Sequence, residues 1–181
     1  VNYLNQSTLG FSVPSFKLKD KDGHSTLDWM GISSWTYMSS NMGKIKGAVK
    51  FSGMTFTKDD VNVTLGKIKS KYNLHETDSG LYLGEASLNV PKVAVVEKDQ
   101  KLFELKALSI SSESDIDEHL FYTSLDVSLD RIQANGKKYG PAEFTVNLKN
   151  LDADVLAVIN QQANAMQQGS DAEKQQAMLM M

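Results

Sequence analysis

A run of acidic side chains in the second half of the chain could hold a hard metal cation. Glu113, Asp115 and Asp117 occupy every second position, and His119 continues the series. In an extended segment these groups would lie on one side, and clustered carboxylates favour calcium. The spacing does not match an EF-hand loop and lacks its glycine, however. We therefore interpret the stretch as the solvated tip of a hairpin and expect no metal site.

A second cluster brings together the residue types of a hydrolase triad. The sequence HETDS, from His75 to Ser79, contains a histidine, two acids and a serine. Triads are assembled from separated segments on a scaffold, whereas this cluster lies in one turn-forming stretch before Gly80. The sequence also contains neither a GxSxG elbow nor a phosphate-binding glycine loop. We predict that the protein is not an enzyme and holds no cofactor.

Composition excludes further classes of function. A net charge of -3 does not supply the basic surface that phosphate neutralisation requires, so we expect no nucleic-acid partner. The absence of cysteine excludes disulfides, thiol catalysis and thiolate metal sites. Two sets of lysines at even spacing predict a solvated face or a charged sheet edge rather than a ligand patch: Lys44, Lys46 and Lys50, then Lys67, Lys69 and Lys71.

The stretch from Leu120 to Leu151 shows the clearest structural pattern, two alternating segments around Asn135-Gly136. Both loop residues tolerate positive φ, as a two-residue type I′ hairpin requires. Such a loop pairs residues whose numbers sum to 271, which places Val127 opposite Phe144 and makes the two apolar faces coincide. These faces, which we expect to be buried, carry Phe121, Leu125, Val127 and Leu129 on one strand and Ala142, Phe144, Val146 and Leu148 on the other.

One residue argues against the two-residue loop. Pro141 falls opposite Asp130 at a hydrogen-bonded position, where proline has no N–H to donate. A four-residue loop would keep the same faces but place Val127 opposite Val146 instead. The Asn-Gly pair favours the shorter loop, and we expect a local distortion near Gly140.

Alternation and turn signals recur along the chain and predict a mainly β fold. We expect an elongated, curled antiparallel meander of about seven or eight long strands, with one C-terminal helix packed on it. A strand from Leu120 to Ile132 would be about 40 Å long at ~3.3 Å per residue. A change in the inward-facing positions at Gly66 predicts a β-bulge there. The segment 24–42 fits either a short helix or an irregular strand.

The C-terminal helix has a capping residue and an apolar stripe. Asp152 is suited to cap it, and the stripe of Val155, Ile159, Ala163 and Met166 should face the sheet. We assign residues 1–169 to a single β-rich domain. Residues 170–181 begin with a capping-box pattern and predict the start of a further helix, so we expect the chain to be a segment of a longer protein.

Three stretches resemble a known family. They are GLYLGEASLNVPKVAV from Gly80, LKALSISSES from Leu105, and the strands and helix start from Tyr122 to Leu156. The sequence is similar to the YdgA-like family of Gram-negative bacteria, whose function is unknown. This resemblance implies a β-rich body in the periplasm, attached to the inner membrane by an anchor outside this segment. The family has no catalytic motif, so the resemblance implies no functional residues.

These observations favour a non-enzymatic envelope protein. One helix covers a long sheet poorly, so the apolar face is either closed by other sequence or partly open as a groove. An open groove would bind an apolar ligand such as lipid, and a closed one would favour a structural or assembly module of a larger periplasmic protein. The predicted groove residues are Leu125, Val127, Leu129, Phe144 and Val146.

Overall fold

The computed structural model describes residues 6–168, and the side chains of residues 6–163. Thirteen strands form one antiparallel sheet, followed by one helix, α1 (Ala153–Gln168). The first eight strands are β1 (Ser7–Val13), β2 (Phe16–Lys19), β3 (Ser25–Trp29), β4 (Ile32–Met38), β5 (Lys44–Phe51), β6 (Met54–Lys58), β7 (Val61–Leu65) and β8 (Ile68–Glu76). The remaining five are β9 (Tyr82–Glu97), β10 (Gln100–Asp117), β11 (Leu120–Ala134), β12 (Lys137–Tyr139) and β13 (Ala142–Asp152).

The sheet has more strands than the seven or eight predicted, because short breaks divide several long passes of the chain. Only two residues separate β1 from β2, and the same is true of β3/β4, β5/β6, β7/β8 and β12/β13. Both members of each pair continue in the same direction and the same register along their neighbours. Thirteen strands therefore correspond to eight antiparallel passes. The segment 24–42 is one of them, an interrupted strand rather than a helix.

The five breaks lie in one row with two-residue steps inside the continuous strands β9, β10 and β11, and this row crosses the whole sheet. Extending the pairing registers places eight two-residue steps side by side: 14–15, 30–31, 52–53, 66–67, 91–92, 106–107, 130–131 and 140–141. The row contains all three prolines of the chain. It also contains Gly31, Gly53 and Gly140, whose φ angles of 98°, 119° and 110° suit glycine. We call these positions the break row.

The break row replaces the β-bulge that the sequence predicts at Gly66. A bulge would insert an extra residue in one strand. Here Leu65 pairs with Val93 and Lys69 with Asn89, four residues further along both strands, so the register is unchanged and that prediction is wrong. The physical reason is that Pro91 of β9 lies in the same row and has no ladder partner on either neighbouring pass, so the two passes stay in step.

The predicted change in facing across Gly66 is nevertheless present. Strict alternation would place residues three apart, such as Trp29 and Ile32, on opposite faces. Ile32 lies directly opposite Phe51 and shares its face, yet the Trp29 and Phe51 rings are in contact at 5.0 Å between centroids. The apolar side of the sheet therefore continues across the break row.

The hairpin around Asn135-Gly136 has the predicted register. Val127 lies opposite Phe144, and the φ angles of Asn135 and Gly136 are 48° and 77°, as a type I′ loop requires. Pro141 falls in the break row between β12 and β13, opposite Asp130 of β11, so the missing proline N–H interrupts no ladder bond. The distortion expected near Gly140 is present as this break.

The helix begins as predicted but turns a different side to the protein. The Asp152 carboxylate accepts hydrogen bonds from the Asp154 and Val155 amides, which confirms the cap. The predicted stripe is wrong, since Val155 and Ile159 are 55% and 54% exposed. Ala153 and Ala157 are buried instead. Two further predictions, the Met166 side chain and the helix in residues 170–181, lie outside the described residues.

The position of the helix explains the difference. It follows β13 without a loop and lies at the end of the sheet, where its Ala153 amide donates to the His119 carbonyl. The Asn160 side-chain amide donates to the Gly80 carbonyl at 3.1 Å, in another turn at the same end. These two contacts fix the rotation of α1, so Ala153 and Ala157 face the protein while Val155, Val158 and Ile159 face solvent.

Candidate functional site

The structure brings the five predicted groove residues together on one face. Leu125, Val127 and Leu129 are alternate residues of β11, and Phe144 and Val146 are alternate residues of the adjacent β13. Leu125 lies opposite Val146 and Val127 opposite Phe144. Directly opposed residues of antiparallel strands project to the same side, so these side chains form one apolar patch.

This patch is open rather than buried, which corrects the sequence-based expectation for the face. Phe144 is 59% exposed and Leu125 37% exposed, while Val127, Leu129 and Val146 are half-buried. No second layer covers the patch within the described residues, because α1 lies at the end of the sheet. Half-burial of Val127 comes from its neighbours on the same face and not from a covering element.

The patch belongs to a larger surface that we call the apolar face. Directly opposed residues share one side of the sheet, and successive cross-strand pairs connect the patch on β11 with residues on each strand as far as β1. In the section between the break row and the helix end, the residues on this side as far as Leu74 of β8 are uncharged, and Glu76 lies beyond them at the end of that strand. The larger ones include Phe11, Val49, Leu88, Ile110, Val127 and Phe144. Leu9 and Phe11, on the opposite edge from Phe144, are also exposed.

The reverse side of the same section is polar and contains a groove of about 690 Å³. It crosses six strands, from β4 to β11, and carries the residues that alternate with the apolar ones. We call it the polar groove. Its side chains include Trp35, Lys46, Lys71, Glu85, Glu113 and Asp126.

Lysines from the two predicted sets meet on this polar side because β5 pairs with β8. Lys50 lies directly opposite Lys69, and Ala48 directly opposite Lys71. Lys50, Lys67, Lys69 and Lys71 line a second space of about 410 Å³ beside the polar groove, and Trp35 borders both. The even spacing of each lysine set is evident from the sequence. The proximity of the two sets is not, because it depends on the order of the strands in the sheet.

Carboxylates occupy the other end of the polar groove. Glu85 lies directly opposite Glu113, and Asp126 accepts a hydrogen bond of 2.7 Å from the Thr145 hydroxyl. Like charges placed opposite each other in a sheet are unfavourable. The groove is therefore divided into a cationic end on β5 and β8 and an anionic end on β9, β10 and β11.

The acidic stretch does not assemble a metal site. Within residues 6–168, no group of three or more His, Asp or Glu side chains has the geometry to hold a metal ion. The Asp115 carboxylate instead accepts hydrogen bonds from the Ile116 amide and the Tyr122 hydroxyl. Loss of hydration raises the pKa of Tyr122, and the bond to Asp115 adds to this shift. The stretch extends along β10 to the turn at its end.

The HETDS cluster builds a turn rather than a triad. The Thr77 hydroxyl lies 2.9 Å from the Ser79 hydroxyl and also bonds both the amide and the carbonyl of Leu81. These bonds close the connection between β8 and β9. The serine hydroxyl is thus part of a local capping network and has no histidine partner among its hydrogen bonds.

A buried carboxylate that sequence reasoning missed lies beyond the break row. Glu104 of β10 is 6% exposed, with its two oxygens 2.7 Å from Lys101 Nζ and 3.0 Å from Arg131 Nη2. The hydrogen bond from Lys101 lowers the pKa of Glu104 against the opposing effect of desolvation, and Arg131 lowers it further. Both cations neutralise this charge, so the arrangement is that of a stabilising ion cluster.

Comparison with known proteins leads to one family. Within the described residues, no helix is both long and apolar enough to span a membrane. No curated protein and no solved structure matches the chain. A family model described as a bacterial protein of unknown function, DUF945, matches residues 1–181. The chain therefore belongs to the DUF945 family of bacterial proteins.

Proposed function

We propose that this chain is a non-enzymatic module of the bacterial envelope that binds lipid acyl chains on its apolar face. The observation that carries the proposal is an uncharged apolar surface, open to solvent, that crosses all eight passes. At ~4.8 Å between neighbouring strands, seven spacings give a width of about 34 Å. The five groove residues at the β11/β13 end form part of this surface.

The hydrophobic effect would drive acyl chains onto the apolar face. Contiguous exposed apolar patches of more than a few hundred Å² are rare on soluble proteins and usually mark a binding surface. An acyl chain laid on the face would gain roughly 0.8 kcal/mol for each CH₂ group removed from water. The side chains of this face between the break row and Leu74 are uncharged, so no ion there would lose its hydration when lipid binds.

The envelope location rests on a family argument. DUF945 is a bacterial family. The chain also resembles YdgA-like proteins, and this resemblance implies a periplasmic location with an inner-membrane anchor. Cell fractionation of the full-length protein tests this part of the proposal separately. Recovery in the cytoplasm would contradict it without affecting lipid binding by the isolated chain.

A specific observation favours assembly as the second candidate. Within residues 6–168, β1 pairs only with β4, and its other edge has free backbone groups. A strand from another protein could extend the sheet at this edge. Such a module would use the apolar face as a protein interface, and it would not bind free fatty acid.

Titration with a fluorescent fatty acid distinguishes the two candidates. Wild-type chain should bind the probe, and Phe144→Lys should weaken binding by at least tenfold because it places a charge on the face. Phe144 is already exposed, so its replacement should leave the fold intact. Asn147→Lys is the matched control: it adds the same charge to the polar side of the same strand and should leave the affinity unchanged.

Two results would overturn lipid binding. Wild-type chain that does not bind the probe, with an unchanged circular dichroism spectrum, would favour assembly. Equal weakening by Phe144→Lys and Asn147→Lys would show that the probe responds to charge and not to the apolar face.

A further inference from the structure

A cationic surface on the polar side remains unexplained by lipid binding on the opposite side. Lys46 and Lys50 lie on β5 and Lys69 and Lys71 on the adjacent β8, while Lys67 lies in the break between β7 and β8. The chain as a whole carries a net charge of -3, so this is a local concentration of positive charge against the overall balance. Sites of this kind attract anions by their local field.

Among the described residues, these lysines have no carboxylate within the 4 Å of an ion pair, although Glu85 lines the same groove as Lys46 and Lys71. Within residues 6–168, the lysine ion pairs involve Lys17, Lys101 and Lys106, none of which belongs to this cluster. Lys46 instead has its ammonium 5.5 Å from the centroid of the Tyr37 ring. Lys50 and Lys69 lie directly opposite each other, an arrangement that costs free energy unless an anion lies between them.

Trp35 supplies a second kind of contact at the same place. It lies on the polar side, is 45% exposed and borders both the polar groove and the lysine-lined space. An exposed indole offers a flat apolar surface with a polar edge. The C–H faces of a sugar ring can stack on such a surface, while the neighbouring Ser33 and the lysines provide polar contacts.

We propose that the lysines and Trp35 form a binding site for a sugar that carries phosphate groups. Phosphates would lie between Lys50, Lys69 and Lys71, and the sugar ring would stack on Trp35. The cross-strand spacing of about 5 Å between opposed residues lets two ammonium groups reach one phosphate. The site is on the opposite side of the sheet from the apolar face, so it does not depend on lipid binding.

Isothermal titration with glucose 1,6-bisphosphate tests the site directly. Wild-type chain should bind it, should not bind glucose, and should bind pyrophosphate more weakly because pyrophosphate lacks the ring. Lys50→Gln and Lys69→Gln should each weaken binding about fivefold, the factor that corresponds to ~1 kcal/mol for a partly exposed ion pair. The exposed Lys19 of β2 lies outside the site, and Lys19→Gln should leave the affinity unchanged.

Trp35→Ala separates stacking from charge. It should weaken binding of the sugar bisphosphate and leave the affinity for pyrophosphate unchanged, with unchanged thermal unfolding as the check on the fold. No heat with glucose 1,6-bisphosphate up to 10 mM would overturn the site. Equal affinity for an oligothymidylate would also overturn it, because the surface would then bind any polyanion.

Discussion

The Trp29 ring lies 5.0 Å from the Phe51 ring, with an angle of 52° between their planes. Trp29 is the last residue of β3 and Phe51 the last residue of β5, so each comes directly before the break row in the sequence. Because the two passes are antiparallel, the two residues lie on opposite sides of that row. Phe16 stacks on the other side of Trp29 at 5.9 Å. Three aromatic rings from three neighbouring passes therefore join the two sections of the apolar side.

Phe51→Ala tests the importance of this aromatic cluster. Phe51 is one of the few buried apolar side chains of the sheet, so its truncation should lower the free energy of unfolding by about 3–5 kcal/mol. Phe11→Ala, at an exposed position of the same face, should cost less than about 1 kcal/mol. Urea unfolding of both variants gives the comparison. Equal losses would contradict the importance of the aromatic cluster.

Gly136→Ala tests the hairpin loop. With a φ of 77°, Gly136 adopts a conformation that alanine disfavours, so the variant should lose about 1 kcal/mol of stability. Gly10→Ala in β1 is the control. The added Cβ would meet only the Ser34 carbonyl oxygen, at 3.9 Å, so this substitution should be tolerated. Thermal unfolding that shows no difference between the two variants would argue against the two-residue loop.

The ion cluster around Glu104 predicts a pH dependence of stability. The pKa of Glu104 is lower in the folded protein than its ordinary value of 4.5, so the folded state binds fewer protons. The cluster therefore stabilises the protein above about pH 4.5, and this contribution is lost as the pH falls through the lower folded pKa. Glu104→Gln should cost about 1–2 kcal/mol at pH 7, since both partner cations are about one-third exposed.

Urea unfolding at pH 7 and pH 3 measures that contribution. The gap between wild type and Glu104→Gln should narrow at the lower pH, whereas Glu97→Gln, at an exposed end of β9, should cost little at either value. A gap that stays constant or widens on acidification would contradict the role of the Glu104 charge.

Two aspartate substitutions distinguish the observed side of α1 from the predicted one. Ala157→Asp places a charge at a buried position and should cost at least about 2 kcal/mol or detach the helix. Ile159→Asp replaces an exposed side chain and should change stability by about 0.5 kcal/mol or less. If thermal unfolding shows that Ile159→Asp is the more destabilising variant, the observed orientation of α1 is contradicted and the orientation predicted from the sequence is supported.

Local patterns were sufficient to predict the hairpin. The alternation in β11 and β13 and the Asn-Gly loop define both the shared face and the pairing of Val127 with Phe144, because these depend only on neighbouring residues. The length of the strands was also predictable, and β10 extends over 18 residues. The Asp152 cap depends on a similarly local signal.

Features that depend on distant contacts were not predictable from the sequence. The break at Gly66 lies beside Pro91 of β9, and only the pairing of β7 and β8 with β9 shows that they form one row. The side of α1 that faces the protein depends on the His119 and Gly80 carbonyls, which no periodicity of the helix encodes. The meeting of the two lysine sets was not predictable because β5 and β8 are separated in sequence by two strands.

Native mass spectrometry of the purified chain tests lipid binding on the apolar face most directly. We expect wild-type chain to carry additional mass that corresponds to co-purified phospholipid or fatty acid, and Phe144→Lys to carry much less. Asn147→Lys should retain the same additional mass as wild type. Lipid binding would be contradicted if the folded wild-type protein shows no mass other than that of the chain itself, both before and after incubation with fatty acid.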